Sequence, residues 1–382
     1  MSARRPDRRT ASRTAAAVAW AVLATLLVAG LAAFGLVLLP RLVHGGYDVP
    51  DGAAVGQRLV SRYPAVVLDQ GNTVTLPDGR TLWIFADTAQ EKAEPHFFVT
   101  SSAAVSDPDS VYLKFTTGRR GVPVEFLPRT PAERARTVDR ERYVAVWPTG
   151  ATTLADGRVV VAYTKYLVGV RPTSFTFEAA GLFAWTPPAD GDVAGAGPAR
   201  RIADDIWGPA DGAVASPVAV GRYVYFTECE SSRCYSARVP ADRLAERGAY
   251  RWWTGVGWSP SRGDRQPMTY GSDRPGRNPP TAYLPAWRVF ATVDTSGGIQ
   301  SSTGLIWVAP RPWGPWSKAA RFPLPGCTSA DGCYTLNLHP GESTARSIRV
   351  SYATAHEGPH VRVLDVPLVV SPGADGVTVR RR

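Results

Sequence analysis

The stretch Leu68-Asp-Gln-Gly-Asn-Thr-Val-Thr-Leu-Pro-Asp-Gly-Arg-Thr-Leu-Trp-Ile-Phe-Ala-Asp-Thr88 decides how the rest of the chain is to be read. Val74 and Leu76 alternate before the Pro77-Asp78-Gly79 turn, and Leu82, Ile84 and Ala86 alternate after it, the period of two that a strand requires. A β-hairpin follows, with Asp69 at one end and Asp87 at the other. Closing the turn makes these two carboxylates neighbours, and paired carboxylates are a recurrent device of acid/base chemistry. Trp83, mid-strand among apolar residues, is expected in the core.

The same pattern recurs downstream. Trp147 to Lys165 reads as a second hairpin around Asp156-Gly157, and Trp207 to Glu228 as a third, turning near Gly221. Less regular instances run from Tyr283 to Trp307 around Ser296-Gly297-Gly298, and from Tyr334 to Tyr352 around His339-Pro-Gly-Glu342. Five strand-rich repeats of about 60 to 70 residues predict an all-β fold, a five-bladed β-propeller over residues 64–372. The competing two-sheet sandwich would be unusually large. Pro131 to Arg142, with alternating charges, reads as a solvated loop helix.

The chain of 382 residues has 36 Gly, 33 Pro and 12 Trp, which suits short strands joined by tight turns. Its net charge of +10 does not indicate nucleic acid. Arg4, Arg5, Arg8, Arg9 and Arg13 less Asp7 supply five minus one, or four, of it, and the remaining six are scattered.

Residues 15–39 are uncharged and almost wholly apolar, long enough at about 1.5 Å per residue to cross a hydrocarbon core of about 30 Å. They read as a transmembrane signal-anchor helix, because no small-x-small cleavage site follows Leu39. Residues 1–14 then form a basic cytoplasmic tail, residues 40–63 a linker, and residues 373–382 a basic C-terminal tail. This predicts a single-pass membrane protein whose propeller is extracytoplasmic. The four cysteines form two close pairs, Cys229 with Cys234 and Cys327 with Cys333. Their spacings do not match zinc ribbons, and local disulfides are expected in an oxidising compartment.

Several motifs resemble one family. Asp69-Gln-Gly-Asn, the Gly79 to Thr88 run, Trp147-Pro148 before an Asp-Gly hairpin, Gly314-Pro-Trp-Ser317, and His339-Pro with Ser351-Tyr352 are similar to a five-bladed propeller family of exported bacterial proteins that includes endo-D-arabinanase glycoside hydrolases. The likeness covers most of Pro64 to Val370. The family's usual form looks like Asp-Gly-Gly with a later Gly-Asp-Thr; this chain has Gln70 and Ala86 at two of the glycine positions. The resemblance implies hydrolysis within arabinan of a cell-wall polysaccharide, with Asp69 and Asp87 as the catalytic pair.

A glycosidase needs one carboxyl kept protonated for the leaving oxygen and one kept ionised to activate water or attack the sugar, about 6.5–9.5 Å away in inverting enzymes and about 5–5.5 Å in retaining ones. The structural alternative is that each Asp caps a turn. Asn72, Trp147, Glu228, His339 and Glu342 are candidate substrate-binding residues, and Tyr163 is a further candidate for stacking on sugars. No cofactor and no metal site are expected, and a monomer is expected. A non-catalytic propeller that binds wall glycan or a partner protein is the alternative function.

Overall fold

The computed structural model describes residues 56–368 apart from short internal stretches, the longest being 355–359, together with the backbone of strands 47–48, 369–373 and 376–380. The predicted membrane helix at 15–39 lies outside the described residues, and among the described residues no helix is long and apolar enough to cross a membrane.

The fold is an all-β propeller of five blades. Blade 1 comprises Val66–Thr75, Thr81–Gln90, Ser102–Ser106 and Tyr112–Phe115; blade 2 comprises Tyr143–Thr153, Val159–Val168, Phe175–Trp185 and Arg200–Trp207. In blade 3 the first strand is split into Ala213–Val214 and Val218–Val220, followed by Tyr223–Glu230, Arg233–Pro240, Arg251–Trp253 and Trp258–Ser259. Blade 4 comprises Thr281–Leu284, Val289–Thr295, Thr303–Ala309 and Ser317–Pro323, and blade 5 Cys333–Leu338, Ser347–Thr354 and His360–Pro367. First strands of blades 1 to 4 touch in succession, blade 4 reaches blade 5 through its second strand, and blade 5 returns to blade 1. The first strands therefore line the axis. Trp207, expected to open the third repeat, instead ends the outer strand of blade 2.

Blades 1 and 2 turn on the same five-residue device, Leu76-Pro-Asp-Gly-Arg80 and Leu154-Ala-Asp-Gly-Arg158. In each, the Leu amide donates to the Arg carbonyl, the Asp takes its Arg side chain, and the Gly adopts φ near +85° (85° and 84°), a conformation that glycine tolerates without a Cβ penalty. These turns sit at the end of their blades opposite Asp69 and Asp87.

Among the described residues the apolar side chains form several clusters that fill the gaps between blades. Leu82, Ile84 and Val105 meet Val159, Val161 and Phe183 between blades 1 and 2. Between blades 5 and 1, Leu68, Trp83 and Phe85 meet Ala353 and Val361. Trp83 is buried, as its mid-strand position predicts. Both disulfides, Cys229–Cys234 and Cys327–Cys333, are formed.

The stretch read as a linker holds more structure than its composition predicts. Tyr47–Asp48 pairs with Ala320–Arg321 of blade 4, Gln57–Arg58 with Arg362–Val363 of blade 5, and Val60–Ser61 with Tyr112–Leu113 of blade 1. Two-residue strands carry no readable period. The N-terminal segment thus completes blade 5 and bridges it to blade 1. The helix in the charged loop is Pro131–Ala135, closed by a Thr130–Glu133 capping box. At the C-terminus, Val369–Gly373 and Gly376–Arg380 form a separate two-stranded sheet within what reads as the end of the propeller and its basic tail.

Candidate active site

The register of the opening hairpin is not regular. Leu68 pairs with Thr88, Gln70 with Phe85 and Asn72 with Ile84, so the pairing slips twice around Gln70 and Gly71. Gln70 sits at φ +64° and Gly71 at +136°, and this bulged segment re-aims Asp69 relative to a regular strand. A side chain on Gly71 would press on Ser351 Oγ at 3.3 Å, so blade 5 crowds a position whose φ of +136° already favours glycine.

Asp69 and Asp87 are brought together, each partly exposed but in different surroundings. The Asp69 carboxyl accepts the Gln70 amide at 2.7 Å and the Tyr334 hydroxyl from blade 5. Although it keeps some exposed surface, it lies deep among protein atoms. Desolvation first, and the neighbouring Asp87 charge second, push its pKa up to about 7 against the pull of those two hydrogen bonds. Asp87 receives two donors from blade 2, the Tyr143 hydroxyl on Oδ2 at 2.5 Å and the Trp147 indole N–H on Oδ1 at 2.8 Å. Each carboxyl thus accepts two donors, so donor count does not separate them, and two adjacent carboxyls do not both ionise cheaply. The proton of the pair is therefore placed on Asp69, whose burial raises its pKa.

Tyr143 and Tyr334 escaped the sequence reading, since neither lies near the aspartates in the chain. The available signal was positional: each stands at or next to the start of a first strand. Phe98 packs edge-on against Tyr143 at 5.2 Å. The strand pairing slips just after Tyr334, where Thr335 takes φ +52°, rare for a β-branched residue. Ala86 is fully buried, and its carbonyl accepts the Thr88 hydroxyl at 3.0 Å.

Of the other candidates, only Trp147 reaches the pair. Asn72 is buried and donates to Gln70 Oε1 at 3.2 Å, buttressing the bulge. Glu228 has no exposure: it accepts the Trp207 indole N–H at 3.1 Å and pairs with Arg262 at 2.7 Å and Arg265 at 3.2 Å, so its charge is consumed inside blade 3. His339, equally inaccessible, meets Thr73 Oγ1 through Nδ1 at 2.7 Å and packs on Trp83 between blades 5 and 1. Burial pushes its pKa down to about 4, so the imidazole is neutral at pH 7. Glu342 lies at the turn end, bound by the Thr81 hydroxyl and by Arg349 at 2.8 Å. Tyr163 is buried with its hydroxyl on Asp204. Strand position alone did not reveal which end of a blade a residue occupies, nor which distant arginine neutralises it.

Among the described residues no group of three or more His, Cys, Asp and Glu side chains could hold a metal ion.

No protein-family model matches this chain, and no curated protein matches it. Among solved structures it is similar to a protein of Bacteroides ovatus assigned as a hydrolase, at 13% identity and TM-score 0.54 over 78% of this chain and 85% of the other. It also aligns with a GH43_1 enzyme from Xanthomonas citri, at 12% identity and TM-score 0.49 over 86% and 94% of the two chains. An endo-1,5-α-L-arabinanase from Thermotoga petrophila aligns at 11% identity and TM-score 0.47 over 87% and 75%. The first likeness supports the propeller fold; the other two lie too low to carry an argument.

Proposed function

We propose that this chain is a membrane-anchored, extracytoplasmic glycoside hydrolase that cuts within arabinan-type chains of a cell-wall polysaccharide. The observation that carries the chemistry is the unequal carboxylate pair. Asp69, whose pKa is about 7, holds a proton to give to a leaving glycosidic oxygen, and Asp87, fixed by Tyr143 and Trp147, is the ionised partner that activates water or attacks the anomeric carbon. Tyr334 orients Asp69 from blade 5. The two disulfides suit an exported domain, and the apolar run at 15–39 supplies the anchor. The arabinan preference rests on the motif resemblance around Asp69 and Asp87.

The test is direct. The chain from residue 45 onward is incubated with purified D-arabinan, and released oligosaccharides are resolved by chromatography. Release by wild type that falls by about a hundredfold or more in Asp69→Asn and Asp87→Asn supports the assignment. No release from D-arabinan or from other arabinans leaves a non-catalytic, glycan-binding propeller as the better account.

A further inference from the structure

Blade 2 carries a row of aromatic side chains whose ring surfaces the carboxylate chemistry does not use. Trp147, Tyr166 and Phe175 come from its first, second and third strands. Trp147 lies 5.4 Å from Tyr166 and 5.8 Å from Phe175, centroid to centroid, and Phe177 closes on Tyr166 at 5.5 Å. The row meets the candidate active site at Trp147, which stands between Tyr166 and Phe175 and whose indole N–H is the donor to Asp87. It ends at Phe175, which is 51% exposed. A phenylalanine left half in water on a strand gains little for folding, whereas partly exposed rings tilted against one another by 39° and 59° form an apolar surface that suits the C–H faces of sugar rings.

The charges beside the row narrow the ligand. Arg136 is paired with Glu178, and Lys165 and Arg201 face three carboxylates, Glu133, Asp204 and Asp205. Among these described residues four carboxylates face three cations, a balance that gives a phosphorylated or uronic-acid polymer no net attraction. We propose that Trp147, Tyr166 and Phe175 form a stacking subsite for a neutral glycan chain that runs outward from the Asp69–Asp87 pair over blade 2. The ligand is then a polymer spanning several sugar units. The inference deepens the hydrolase reading, on which its link to turnover rests, but the binding itself can be tested separately.

Asp69→Asn in the chain from residue 45 onward serves as an inactive host that leaves Trp147 and Asp87 untouched. Its affinity for D-arabinan, for debranched 1,5-α-L-arabinan and for the corresponding disaccharides is measured by titration calorimetry. Tyr166→Ala and Phe175→Ala, checked for an unchanged melting temperature, are each expected to weaken polymer binding about tenfold while disaccharide affinity stays within about twofold. Phe175→Trp should retain it. Unchanged polymer affinity in both alanine variants, equal losses for polymer and disaccharide, or no polymer binding by the host would each overturn the subsite. Strip-dependent binding with no cleavage by wild type would uphold the subsite and reject the hydrolase. Cleavage by wild type with strip-independent binding would do the reverse.

Discussion

Asp69 and Asp87 place the same functional group in two electrical environments a strand apart. Because the folded pKa of Asp69 is about 7 against an ordinary 3.8, the folded state holds an extra proton between those values, and stability falls as pH rises through that window. His339 has the opposite sign: its folded pKa of about 4 lies below the ordinary 6.5, so its contribution is present above pH 6.5 and lost as pH falls toward 4. The two slopes oppose each other between pH 4 and 6.5. Melting temperatures across this range should therefore rise more steeply with pH in Asp69→Asn than in wild type, and flatten when His339→Gln is added. Parallel curves for wild type and Asp69→Asn would contradict the raised pKa. If Asp69 is the general acid, kcat/KM should also drop as pH rises above about 7, read from initial rates on a cleaved arabinan. The aspartates were legible in the sequence because the period of two set the hairpin that joins them. Tyr143 and Tyr334 were not, since a hydrogen bond from a neighbouring blade leaves no local mark. Glu228 and His339 misled for the same reason: Arg262, Arg265 and Trp83 reach them across loops or blades that sequence spacing does not reveal.

At the scale of the element, the bulge at Gln70-Gly71 aims the acid. Gln70 adopts a left-handed conformation that costs a non-glycine residue about 1 kcal/mol, partly offset by its side-chain bond to Asn72. Gln70→Gly should thus leave stability unchanged or raise it by up to about 1 kcal/mol in urea unfolding, with Asp69 still in place. Gly71→Ala should instead destabilise by about 1 kcal/mol or more, given its φ of +136° and the nearby Ser351 hydroxyl. A larger loss in Gln70→Gly than in Gly71→Ala would mean that the glutamine side chain, not the bulge geometry, holds the site. The turn chemistry of Leu76–Arg80 and Leu154–Arg158 was readable, because Asp-Gly between alternating strands has one physical meaning. The bulge was not, since Gln does not announce a left-handed backbone.

For the whole molecule, the repeated hairpins sufficed to anticipate five blades, while the short added strands Tyr47–Asp48, Gln57–Arg58 and Val60–Ser61 left no readable period. These add outer strands to blades 4, 5 and 1, and Leu59 is buried beneath them with its amide on the Val361 carbonyl. A chain beginning at residue 45 should melt cooperatively. One beginning at residue 63 loses the buried Leu59, worth about 2 kcal/mol or more, exposes strand edges, and should melt several degrees lower or aggregate. Equal melting temperatures for the two would show that the N-terminal strands are dispensable. The central claim, that one carboxyl of the pair is kept protonated beside an ionised partner, is open to a measurement that needs no substrate: side-chain carboxyl titration by 13C NMR on the chain from residue 45 onward. The account predicts a midpoint of about 7 for Asp69, moving down in Asp87→Asn as the neighbouring charge is removed. An ordinary midpoint near 3.8, unmoved by Asp87→Asn, would contradict it.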